Sequence, residues 1–149
     1  MLSPARRHRM RQQAIEASQS ADNPLRHASG YKQMLIKLND DKRRLKKVHS
    51  NERKAEMKRQ LLPEYLPWVS GVLEKGKGAQ DAVLMTVMIW RLDAGDVPGA
   101  LEIARYALTH GLVSPDGFKR ASLPYLLAEE VASAATRGLC SAGIERFSA

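Results

Sequence analysis

At 149 residues with 44% apolar content, the chain suits one small core and is too short for several domains. A lone cysteine, Cys140, excludes a disulfide framework and a cysteine-based metal site and suits a reducing cytosol. The net charge of +8 is uneven: residues 1–62 hold 16 Lys+Arg against 6 Asp+Glu, and residues 63–149 hold 8 against 10. A basic half of this kind points to a polyanion, nucleic acid before an acidic membrane, because aromatics make up only 5% and no basic helix has a Trp/Phe face.

Residues 1–29 open on Ser3-Pro4, an N-cap followed by proline at the first helical position. Arg6, Arg7, Arg9 and Arg11 follow, and at 100° per residue they do not share one narrow face. The segment reads as a basic arm or short helix that orders on DNA, not as a packed core helix. No apolar stretch follows the positive start, which speaks against a secretory signal. Asn23-Pro24 and Ser29-Gly30 bracket a loop.

Residues 30–62 read as one long basic helix. Tyr31, Leu38 and Leu45 are seven apart, and Met34 and Val48 take the other heptad position, with Asp41 interrupting. This coiled-coil-like seam predicts self-association through Tyr31, Met34, Leu38, Leu45 and Val48. On that expectation Leu38→Asp separates subunits before it unfolds the chain. Off the seam, Lys42, Arg43, Arg44, Lys46, Lys47, Arg53 and Lys54 form a positive surface for DNA phosphates. The plainer reading is a solvated charged helix that covers a core. Ser50-Asn51-Glu52 offers a fresh N-cap, so a break near 49–51 is compatible with the pattern.

Residues 63–149 read as a helical C-terminal domain. Pro63 ends the long helix or opens the next, which carries Trp68, Val72 and Leu73 inward and closes at Gly76 and Gly78. The stretch 79–93 is apolar nearly all round and reads as the central buried helix. Asp96 N-caps a further helix in which Ala100, Ile103, Ala104, Ala107 and Leu108 form a stripe, stopped at His110-Gly111. Ser114-Pro115 repeats the start signal, and a last helix covers about 123–137 with Leu126, Leu127, Val131 and Ala135. The class is all-α with about six helices. The longest apolar run, nine residues at 82–90, is too short to span a bilayer.

Sites of chemistry are sparse. Gly71–Gly78 nearly matches a phosphate loop, but Gly78 replaces the required hydroxyl and helix replaces the required strand. His8, His27, His49 and His110 have no metal spacing. A Mg²⁺-dependent nuclease needs converging carboxylates, and the candidates are Asp81, Asp93, Asp96, Glu102, Asp116, Glu129 and Glu130. Asp93 and Asp96 read more simply as helix-end residues. No catalytic, metal or cofactor residue is assigned; Mg²⁺ enters only with the nuclease alternative.

Three long stretches carry a resemblance: SPARRHRMR, then NERKAEMKRQLLPEYLPWVSGVLEKGKGAQDAVLMTVMIWRLDAGDVPGALEIARYALTHGL, then SPDGFKR. Together they resemble the small terminase subunits of peduovirus-type tailed phages, a family labelled terminase endonuclease subunit. The resemblance covers nearly the whole chain and is densest from Asn51 to Arg120. It implies a DNA-packaging role in the host bacterial cytoplasm, with double-stranded phage DNA, a large ATPase-nuclease subunit and further copies of the chain, often in a ring, as partners. The label implies cohesive-end cleavage, yet the residues show no nuclease motif. A metal-dependent endonuclease and a protein-only helical scaffold, suggested by the hairpin-like stretch 84–112, stay as alternatives.

Overall fold

The computed structural model describes residues 2–18, 29–113, 128 and 132. Five helices are delimited among them, α1 (Pro4–Ser18), α2 (Ser29–Lys46), α3 (Asn51–Lys75), α4 (Ala82–Asp93) and α5 (Val97–His110), and no strand occurs in the described residues. The all-α class is as expected. The count is five instead of about six because the expected boundaries fall elsewhere and because, of the helix expected at about 123–137, only Ala128 and Ala132, both helical, are among the described residues.

The long helix expected over residues 30–62 is two helices. Ser50 adopts extended backbone and its side chain accepts the Arg53 N–H, so a new helix starts at Asn51. That helix then runs through Pro63 and Pro67 to Lys75, past the expected stop. Each internal proline leaves the carbonyl four residues earlier without its N–H partner, at about 3 kcal/mol. Leu61, Tyr65, Trp68, Val69 and Val72 share one buried face of α3, and burying each is worth roughly 1.5–3 kcal/mol. The face outweighs the two breaks.

α4 is the centre. Every residue from Val83 to Leu92 is buried, as its apolar sequence requires. Its N-terminus is tied to two other helices. Asp81 N-caps it, accepting the Leu84 N–H at 3.0 Å and the Trp68 Nε1–H of α3 at 2.9 Å. The Tyr31 hydroxyl of α2 accepts the Ala82 N–H at 3.0 Å, and the Tyr31 ring stacks on Trp68 with centroids 6.1 Å apart. Asp96 caps α5 through the Gly99 N–H, and Gly111, in the left-handed region at φ 68°, ends it. Leu108 is the exception to the α5 stripe: it is 49% exposed.

α1 lies along the C-terminal half of α3. Ala14 and Ala17 are buried, and Lys77 N–H donates to the Ser18 carbonyl. Gly71 permits this approach, since a Cβ there would stand 2.7 Å from the Arg11 carbonyl oxygen. The segment expected to be a basic arm or a short helix that orders on DNA is a helix, and it packs on α3. The glycine that suggested a phosphate loop is a helix-packing position.

Candidate nucleic-acid interface

The end of α2, the short connection at 47–50 and the start of α3 form a basic corner. Its geometry follows from which face of α2 is buried. Leu38, Asp41 and Leu45 point inward, so Lys42, Arg43, Lys46 and Lys47 are exposed. Asp41 interrupted the heptad pattern because it has a polar task. It is 2% exposed and accepts from the Tyr65 hydroxyl at 2.5 Å, Lys37 Nζ at 3.0 Å and Arg44 Nη1 at 3.4 Å. Lys37 also reaches Glu64 at 3.2 Å and sits 4.7 Å over the Tyr65 ring. Burial first, and then the carboxylate it donates to, push the Tyr65 phenol far above its ordinary range, so it stays a neutral donor. This polar cluster fixes α2 on α3 and thereby fixes the corner.

The cations divide into two sets. Arg44 pairs with Asp41, Lys58 with Asp93 at 2.6 Å, and Arg59 with Glu56 at 2.8 Å while also donating to the Ala94 carbonyl. Lys42, Arg43, Lys46, Lys47, Arg53 and Lys54 have no carboxylate partner among the described residues. Six unneutralised charges on two adjoining helix ends make a strongly positive surface, suited to phosphates.

The arginines of α1 are not part of this corner. Arg6, Arg7 and Arg9 are exposed and unpaired among the described residues, whereas Arg11 pairs with Glu74. Glu74 is about 30 Å along α3 from Arg53, at 1.5 Å per residue. The two basic groups therefore lie toward different ends of α3.

The seam is used inside the protomer. Tyr31, Met34, Leu38 and Leu45 are 1–7% exposed and belong to the common core; Val48 is half-buried. Heptad spacing reports an apolar stripe and does not say whether its cover comes from another copy or from the same chain. The consequence of Leu38→Asp changes accordingly. A carboxylate in this core has no partner for its charge, so the variant is expected to unfold the protomer, read as loss of helical circular dichroism at 25 °C, and not merely to separate subunits.

Among the candidate nuclease carboxylates, Asp81 is the cap of α4, Asp93 is paired with Lys58, Asp96 caps α5 and Glu102 is exposed. No group of three His, Cys, Asp or Glu side chains converges among the described residues. Of these four, Asp81, Asp93 and Asp96 are thus engaged in capping or ion pairing. Asp116, Glu129 and Glu130 lie outside the described residues. The role of Asp81 went unread in the sequence, although an aspartate directly before an apolar helical run is an N-cap signal.

Residues 35–143 match the sequence model of the phage small terminase subunit family. The chain is similar to the "Terminase, endonuclease subunit" of Escherichia phage P2, 61% identical over 137 residues, covering 92% of this chain and 55% of that protein. It is also similar to the "Probable terminase, endonuclease subunit" of Haemophilus phage HP1, 27% identical over 106 residues, covering 70% of this chain and 37% of that protein. The chain thus spans about half or less of the length of these relatives. No solved structure matches.

Proposed function

The chain belongs to the phage small terminase subunit family, and from that premise we propose that it binds double-stranded phage DNA at the packaging start through the α2–α3 corner and recruits the large terminase subunit to it. A role in phage DNA packaging comes with the family. The observation that carries the DNA-binding reading is the concentration on one corner of six exposed or half-exposed cations that have no carboxylate partner among the described residues. Contacts from such side chains position a protein on the duplex by its phosphates.

Work in the cytoplasm of the host bacterium follows from this reading, and no described helix is long and apolar enough to cross a membrane. Self-association belongs to the proposal too, through surfaces other than the buried seam. Leu101 and Leu108, seven apart on α5, and Val113 just beyond it are 47–64% exposed and offer apolar area for a second copy. Several copies would multiply a modest basic patch into useful avidity.

The names of the two relatives favour a second reading, in which the protein itself cuts DNA with Mg²⁺. One experiment separates them. Purified protein is mixed with a labelled 30-bp duplex at low salt, with Mg²⁺ or with EDTA. The adaptor reading expects a retarded, uncut duplex in both. A nicked product that EDTA abolishes would assign cleavage to this chain, and no retardation at micromolar protein would remove the DNA-binding reading.

A further inference from the structure

α5 has two faces. Ala100, Ile103, Ala104, Tyr106 and Ala107 are buried against the rest of the fold. On the other side Pro98, Leu101, Arg105 and Leu108 follow one another at the three-four-three spacing of a helix-pairing seam, and all four are exposed. Leu101 is 47% and Leu108 49% exposed. A single exposed leucine is ordinary; two of them one heptad apart, on a helix that already buries its opposite face, form a patch. The charges beside them are unpaired. Glu102 and Arg105 are both exposed, and neither side chain has a partner among the described residues, although they stand three residues apart. They border a shallow groove against Ser70, Leu73 and Glu74 of α3, where Glu74 is taken by Arg11.

We infer that this face pairs with the same face of a second copy, α5 against α5 and antiparallel. The inference rests on the self-association part of the reading above, gives it a surface and a geometry, and does not depend on DNA binding. The charges choose the direction. A parallel pair sets Arg105 against its own copy at the centre of the seam, and like charges facing each other repel. An antiparallel pair centred between Ala104 and Arg105 brings Leu101 level with Leu108 of the second copy, and Leu108 level with its Leu101. Glu102 then lies about 3 Å along the axis from Arg105 of the second copy, at 1.5 Å per residue. The two-fold keeps the leucine side of one helix on the leucine side of the other, and the charged side on the charged side. Such a contact is isologous, so each leucine pair and each ion pair occurs twice, and it closes on two copies. It is one helix wide, which places it among small, transient contacts.

The test is sedimentation equilibrium of the 149-residue chain as wild type, Leu108→Lys, Arg105→Glu and the double exchange of Glu102→Arg with Arg105→Glu, with circular dichroism to confirm that each is folded. The wild type is expected to dimerise as its concentration rises. Leu108→Lys and Arg105→Glu are each expected to weaken dimerisation by roughly tenfold or more, because each change enters the contact twice. The double exchange restores opposite charges across the contact and is expected to return association to within about threefold of wild type. A change in protomer stability alone would not produce that rescue. If Leu108→Lys does not fold, Arg105→Glu and its rescue decide the matter. An oligomer that neither single variant weakens overturns the inference and leaves self-association to another surface. An Arg105→Glu defect that the double exchange does not rescue overturns the antiparallel pairing. A wild type that stays monomeric to about 1 mM overturns self-association as well, and gives the face to the chain beyond Val113 or to a different protein. Each of these failures leaves the DNA-binding reading standing.

Discussion

Replacing Lys42, Arg43, Lys46 and Lys47 together by alanine is expected to lower affinity for duplex DNA by about a thousandfold at 0.1 M salt, with the fold intact. Each neutralised phosphate contributes about 0.9 log units at this salt through counterion release, so four contacts amount to between three and four. The four side chains are exposed, and no carboxylate depends on any of them among the described residues. Alanine favours helix, and the loss of cations from the last turn of α2 costs no more than about 1 kcal/mol. The matched comparison is Lys37→Ala and Arg59→Ala, whose cations are engaged by Asp41, Glu64 and Glu56. Equilibrium binding of a fluorescent duplex, with urea unfolding of the same preparations, checks both halves. An affinity within threefold of wild type would remove the corner from the DNA contact.

Asp81→Ala destabilises the fold by about 2–4 kcal/mol. It deletes the N-cap of α4, worth about 1 kcal/mol, and strands two buried donors, the Leu84 N–H and the Trp68 Nε1–H, at about 1–3 kcal/mol. The same residue gives stability a pH signature. Burial raises the Asp81 carboxyl to about 6, against the opposing hydrogen bonds from Leu84, Trp68 and Val83. The folded protein therefore binds the Asp81 proton more tightly than the unfolded chain, whose carboxyl has its ordinary value of 3.8. Its contribution is fully present below about pH 4 and is lost as pH rises through about 6, an effect on the order of 3 kcal/mol. Other carboxylates act in the opposite direction, so the measurement is a difference: the stability of wild type relative to Asp81→Asn, which cannot titrate, rises from pH 7 to pH 4. A pH-independent difference would show that Asp81 is solvated in the native protein.

What could be read in advance was the local chemistry. Ser3-Pro4, Ser50, Asp96 and Gly111 mark helix ends in the residues themselves, and all four sit at ends in the structure. The continuous apolar character of 82–92 likewise required a buried helix. What escaped depended on partners distant in sequence. Pro63 and Pro67 are breakers by local rules, and only the buried face of Tyr65, Trp68 and Val72 overrides them. The seam of Tyr31, Leu38 and Leu45 had the correct stripe and the wrong cover, since its cover is Trp68 and its neighbours in the same chain. Asp41 read as an interruption until Tyr65 and Lys37 were seen to meet it. Of the candidate DNA contacts, the charges were visible, but their division was not: Arg44 and Arg11 are engaged by carboxylates, and Lys42, Arg43, Lys46, Lys47, Arg53 and Lys54 are free of them among the described residues.

The most direct test of the corner as a DNA surface is the salt dependence of wild-type binding to a single duplex, measured by fluorescence anisotropy from 50 to 300 mM KCl. With about six phosphate contacts the slope of log K against log salt is expected near −5. A slope close to zero, or no binding at 50 mM, would contradict the account.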